Sequence, residues 1–154
     1  MKKMAVVLGC LAITGCALTY EPPISLSASA IQAINLPDEA IFNAAQRALV
    51  ADGYQITSSD KNSGIISTAP RDMRVESDKV DCGTTLGLDY LKDNRTTTQA
   101  AIGVIAYHGK IEVKANVQGY YKPGNVEQDI TLTCVSKGKI ESEMLHKILA
   151  EANR

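Results

Sequence analysis

The chain has no tryptophan, one phenylalanine and six tyrosines among its 154 residues. So few aromatic rings argue against a base-stacking platform or a sugar-binding aromatic cleft, both of which depend on planar side chains. Histidine is scarcer still. His108 precedes Gly109 in a predicted hairpin turn and His146 sits beside Lys147 on a predicted helix. Neither has an assignable serine or cysteine partner, so no catalytic triad is read. None of the four cysteines belongs to a CxxC pair, which argues against a zinc centre. The glycines in Cys82-Gly83-Thr84-Thr85 and Leu86-Gly87-Leu88 lack the GxxxxGK[ST] spacing and the lysine that hold phosphate. No apolar run reaches the ~20 residues that a membrane-spanning helix needs.

What is present begins at the N-terminus. Met1-Lys2-Lys3-Met4 leads into AVVLGCLAIT, a basic start and a short apolar stretch that small residues close before Cys16. That is the layout of a secretory signal. The stretch Ile13-Thr14-Gly15-Cys16 resembles the lipobox of bacterial lipoprotein precursors. The resemblance implies a signal peptide over residues 1–15, cleavage after Gly15, and a lipidated Cys16. It further implies that Ala17, where that family carries aspartate for inner-membrane retention, sends the protein to the outer membrane, facing the periplasm. Multiple acyl chains would make a stable anchor, where a single chain is marginal.

Cleavage leaves 139 residues and removes Lys2 and Lys3, so 14 basic side chains face 17 acidic ones, a formal charge of −3. No basic footprint for nucleic acid remains. A length near 140 residues suits one domain with one modest core. Cys10 leaves with the signal and Cys16 is modified, so Cys82 and Cys134 are the pair left for a disulfide in an oxidising compartment.

Residues 16–34 mix Pro, Ser and Ala without a sustained period and read as the lipidated cysteine and a flexible tether, with a single domain over 35–154. Pro37, Asp38 and Glu39 suit a helix start. Ile41, Ala44, Ala45, Ala48 and Leu49 then form an apolar stripe, and Gly53 follows as a stop. Residues 54–58 and 64–69 flank the polar turn SDKNSG as a hairpin. A weaker strand is expected over 73–75, extending towards Val80 and Cys82.

The clearest signal is KIEVKANVQGYY, residues 110–121, where Ile111, Val113, Ala115 and Val117 alternate with polar residues. Alternation of this kind predicts half-buried antiparallel sheet. Lys122-Pro123-Gly124-Asn125 has Pro and Gly where a type II turn wants them. Ile130, Leu132 and Cys134 then alternate inward, and residues 139–152 carry a helical stripe with Ser136 or Gly138 at the cap.

Helix, strands and helix predict an α+β fold: a meandering antiparallel sheet with an N-terminal and a C-terminal helix on one face. The stretch LPDEAIFNAAQRALVADGYQITSSDKNSGIIST resembles the BamC-like helix-grip domains of small outer-membrane lipoproteins, which implies a helix-grip-like arrangement.

Residues that could carry function are few. Asp72, Glu76, Asp78 and Asp81 are the closest carboxylates, and a hydrolase pair would need Glu76 and Asp78 side by side; solvated strand or loop is the preferred reading. The connection over residues 83–96 places Leu86, Leu88, Tyr90 and Leu91 in a long link between strands. These are the candidate partner-binding residues, the alternative being that they fold back on the core. The reading that follows is a non-catalytic envelope lipoprotein, a binding or scaffold module with a protein partner, a membrane contact through its lipid, and no metal or cofactor. A carrier of an apolar ligand, with Ile111, Val113, Val117 and Ile130 lining a pocket, is the alternative; an envelope hydrolase is a third.

Overall fold

The computed structural model describes residues 19–124 and 129–154. The signal peptide, Cys16 and Asn125 lie outside the described residues. The fold is α+β, an antiparallel sheet with two helices on one face, as expected for a helix-grip-like domain.

In chain order the elements are β1 (Ser29–Ala33), α1 (Asp38–Ala51), β2 (Ile56–Asp60), β3 (Ile65–Thr68), β4 (Arg71–Asp72), β5 (Val80–Asp81), β6 (Thr84–Thr85) and β7 (Leu88–Asp89). A 3-10 turn, Tyr90–Lys92, is followed by β8 (Thr96–Tyr107), β9 (Lys110–Tyr121), β10 (Ile130–Thr133), β11 (Val135–Ser136) and α2 (Lys139–Ala152).

The long β8–β9 hairpin is the backbone of the sheet, paired without a slip from Thr96 opposite Tyr121 to Tyr107 opposite Lys110. Its turn holds His108 and Gly109 at φ 52° and 69°, the left-handed pair that a type I′ hairpin requires. Alternation works as predicted. Ala100, Ile102, Val104 and Ala106 on β8 and Ile111, Val113, Ala115 and Val117 on β9 are buried towards the helices. Asp38, in the first turn of α1, accepts the backbone N–H of His108 at 3.0 Å and of Gly109 at 2.9 Å, which fixes the helix start to the hairpin turn.

Helix α1 buries the predicted stripe and Phe42. It ends in a Schellman motif: the N–H of Gly53, at φ 86°, donates to Val50 O at 3.0 Å and that of Tyr54 to Leu49 O at 2.9 Å. Helix α2 buries Ile140, Met144, Leu145 and Ile148. Arg47 to Glu151 at 2.8 Å ties the two helices at their surface.

Each edge of the hairpin is covered by two short strands with a gap between them. On β8, β3 pairs with residues 103–105 and β4 with Gln99 and Ala100. Between them the Thr68 hydroxyl accepts from Ile102 N at 2.8 Å and donates to Ile102 O at 3.1 Å, replacing the missing backbone partner. On β9, β1 pairs with residues 110–114 and β10 with residues 118–121. There the side chain of Glu141, fully buried, accepts from Ala115 N at 3.1 Å and from the Ser136 hydroxyl at 2.6 Å.

Two expectations are corrected. Residues 19–34 are not a free tether: β1 pairs with β9, Ile34 N donates to Gly109 O at 2.8 Å, and Glu21 and Thr84 exchange backbone hydrogen bonds at 2.8 and 2.9 Å. The segment thus runs along the sheet edge as a strap. Its pairing is main-chain, and the small side chains of SASAIQA gave little period to read. The strand expected over 73–75 is also absent. Pairing occurs instead at β4 and β5, while Met73 N bonds Thr98 O at 3.0 Å and Val75 N bonds the Thr98 hydroxyl at 3.3 Å. One side chain there does the work of a strand register.

Candidate functional site

The site is built at the end of the sheet opposite the His108–Gly109 turn. Strands β6 and β7 form a small hairpin, Thr84 opposite Asp89 and Thr85 opposite Leu88. Its turn places Leu86 at φ 52° and Gly87 at φ 76°. Glycine meets that geometry freely, but a leucine held there costs about 1 kcal/mol. The strained residue is not hidden: Leu86 and Leu88 are each 75% exposed.

Asp89 starts the 3-10 turn by accepting Leu91 N at 2.9 Å. That turn sends Tyr90 and Leu91 inward, both buried. The four leucine and tyrosine positions of this connection therefore divide. Leu91 belongs to the core, Tyr90 is wall and core at once, and Leu86 and Leu88 remain outside.

Tyr90 is the middle of three tyrosines that the fold collects from distant parts of the chain. Tyr20 lies edge-on to it at 5.7 Å between ring centres, and Tyr121 at 5.0 Å. Its hydroxyl is 2.5 Å from the Thr85 hydroxyl. The Tyr20 hydroxyl faces Cys82 O at 3.0 Å and Thr133 O at 3.1 Å, and accepts from Thr133 N at 3.0 Å. Burial pushes the Tyr20 phenol above its usual range, against the opposing effect of the Thr133 hydrogen bond.

The two segments that Tyr20 touches are also joined covalently. Cys82 and Cys134 form a disulfide, S–S 2.05 Å, as the cysteine count predicts. Gly83, at φ 78°, leaves no room for a side chain: a Cβ there would lie 2.3 Å from Glu21 O and 2.8 Å from the Tyr20 ring.

Leu86, Leu88, Tyr90, Tyr121, Pro123 and Ile130 wall a cleft of about 650 Å³. Arg95 stands at its rim, with its guanidinium 5.0 Å from the centre of the Tyr121 ring, donating to Asp93 at 2.7 and 3.0 Å and to Pro123 O at 3.1 Å. Hydrogen bonds from Arg95 hold the Asp93 carboxyl down at about 2. The cleft is thus an apolar, aromatic hollow with one fixed ion pair. Thr85 and Asp89 complete its lining, and its apolar walls suit capture of an apolar group.

The remaining candidates are dispersed. Asp72 accepts from Gln99 at 2.8 Å, Asp78 from Lys139 at 2.6 Å, and Asp81 from Gly83 N at 2.9 Å. These carboxylates serve separate structural contacts. His108 sits in the β8–β9 turn against Tyr107, and His146 faces outward near Lys139 and Glu143. Among the described residues no group of three His, Cys, Asp or Glu could hold a metal ion. Ile111, Val113 and Val117 close the core instead of lining a pocket, whereas Ile130 does line the cleft. A shallower hollow of about 470 Å³ on the outer sheet face lies over Ala101 and Gly103.

The scarcity of aromatics concealed this cleft, because three of the six tyrosines converge from positions 20, 90 and 121. Tyr20, Tyr121 and Glu141 were missed. For Glu141 a signal existed, a glutamate three residues after the helix cap, where capping carboxylates occur.

Fold and site together define an α+β module with an apolar cleft at one end of its sheet. No family model and no curated protein matches the sequence. Among solved structures the chain is similar to a TBP-like protein from Parabacteroides distasonis ATCC 8503, at 13% identity over 82% of this chain and 92% of that one, with a TM-score of 0.48.

Proposed function

We propose that this protein is a non-catalytic envelope lipoprotein, held at the outer membrane by a lipidated Cys16 and facing the periplasm. In this reading it acts as a binding or scaffold module whose cleft takes an apolar group from an envelope protein. The observation that carries it is the cleft itself: an apolar hollow walled by buried Tyr90 and by half-buried Tyr121, Pro123 and Ile130, open beside the strained turn that keeps Leu86 exposed. Exposed apolar surface maintained at a conformational cost is the signature of a contact surface.

Affinity purification from crosslinked envelopes tests this. Pro123→Asp and Ile130→Asp should each lose a protein that the unsubstituted chain recovers, while thermal unfolding shows the variant still folded. Unchanged recovery from both folded variants would overturn the cleft as the partner site. Cys16→Ser should release the protein to the soluble periplasm and abolish complementation; full complementation by that form would overturn the role of tethering.

A second reading, a small apolar ligand in the same cleft, is favoured by its volume of about 650 Å³, within the range of ligand pockets. Native mass spectrometry of the mature protein separates the two by the presence or absence of a co-purified ligand.

A further inference from the structure

The docked strap changes where the domain sits relative to a lipid on Cys16. Eighteen residues of free chain would let the domain stand about 60 Å from the membrane. The strap removes nearly all of that length, because Tyr20 is already fixed by its hydroxyl to Cys82 O and Thr133 O, and Glu21 by its backbone to Thr84. Between Cys16 and Tyr20 lie residues 17–19, a reach of at most about 14 Å when fully stretched. A lipid on Cys16 would start that reach at the boundary between acyl chains and headgroups, and the headgroup layer itself occupies about 5–8 Å on each side. The Tyr20 end of the molecule can therefore stand only a few ångströms above the headgroups.

The exposed leucines are at that end. Glu21 is bonded to Thr84, and the turn residue Leu86 follows two positions later, within about 7 Å along the strand. Tyr90, one residue beyond β7, touches both Tyr20 and Tyr121. The opposite end of the sheet, Lys110 at the start of β9, is eleven residues from Tyr121, about 37 Å along the strand. The end of the domain held near the membrane is the one that carries Leu86 and Leu88.

We infer that the β6–β7 turn is a second, non-covalent membrane contact: Leu86 and Leu88 enter the lipid surface beside the anchor and orient the domain with its sheet standing away from the bilayer. The occupant of this apolar tip is the lipid surface itself, and the cleft behind it would open close to the headgroups. The inference rests on the proposed lipidation of Cys16.

The test uses the full mature protein, purified with its lipid and reconstituted in phosphatidylethanolamine and phosphatidylglycerol vesicles. Leu86→Cys, Leu88→Cys and Lys110→Cys variants each carry an environment-sensitive fluorophore on the new thiol, the native pair being held as a disulfide. Fluorophores at 86 and 88 should shift to the blue and be quenched by quencher-bearing lipids, while the one at 110 does neither. Equal, water-like emission at all three positions would overturn the membrane contact while leaving the anchor intact. Shielding of 86 and 88 in native envelopes but not in pure lipid would assign the tip to the protein partner and also overturn it. Intact-mass measurement of the same preparation reports on the lipid: an unmodified Cys16 would overturn both the anchor and the inference built on it.

Discussion

Glu141 is a buried carboxylate whose removal has a calculable cost. Its side chain fills the gap in the β9 edge between β1 and β10, with one oxygen on Ala115 N at 3.1 Å and the other on the Ser136 hydroxyl at 2.6 Å. Glu141→Ala strands the buried Ala115 N–H without its acceptor, a loss of roughly 1–3 kcal/mol. It also removes about two buried methylenes at ~0.8 kcal/mol each. Relief from burying a charge offsets part of this, leaving a net destabilisation of about 3 kcal/mol. Glu141→Gln keeps an acceptor for Ala115 but obliges the Ser136 hydroxyl, which already accepts Gly138 N at 3.2 Å, to accept again. That variant should lose about 1 kcal/mol. In urea, with an m-value of about 2 kcal/mol/M, the midpoint should fall by about 1.5 M for Ala and about 0.5 M for Gln. Hydrogen exchange at the Ala115 amide should accelerate in the Ala variant. An Ala variant as stable as the unsubstituted protein, or less damaged than Gln, would refute the account.

Cys82→Ala with Cys134→Ala opens a loop of sequence separation 52, and loop entropy predicts a loss of about 4 kcal/mol, measurable in urea. Gly83→Ala places a Cβ against Glu21 O, so hydrogen exchange over residues 20–33 should rise while the β8–β9 hairpin stays protected; uniform protection would refute the docking. Leu86→Gly removes the left-handed strain at φ 52°, which should raise stability by up to about 1 kcal/mol, less the added freedom of the unfolded chain, and weaken whatever contact the tip makes. The Asp93 carboxyl, held at about 2 by Arg95, lies below its unfolded value. Its contribution is therefore present above about pH 4 and lost as pH falls towards 2; carbon-detected NMR titration with a midpoint near 4 would contradict the Arg95 contact.

The β8–β9 hairpin and α2 were legible because their information is local. Strict alternation names the buried side of each strand, and His-Gly names the turn. The cysteine pair followed by elimination. The strap was not legible, because Ser and Ala side chains carry no period and its hydrogen bonds go to a strand some 80 residues away. Nor was the cleft, since nothing near Tyr20 in the chain indicates Tyr90 or Tyr121. The 83–96 connection lay between these cases. Its apolar residues were visible, but only the turn at Leu86 and Gly87 decides which of them face inward.

The strap has a consequence for the behaviour of the protein at high concentration. The sheet's other border, β2, is short and ends in Ser58, Ser59 and Asp60, a polar margin that offers little to a stray strand. Strand β9 is different: twelve residues long, with Ile111 and Val113 among them. β1 lies along Lys110–Lys114 of that strand. A protease that cut between Glu21 and Ala33 would free that border and expose a template for edge-to-edge aggregation. The strap, by covering Lys110–Lys114, thus also helps keep neighbouring copies from joining their sheets.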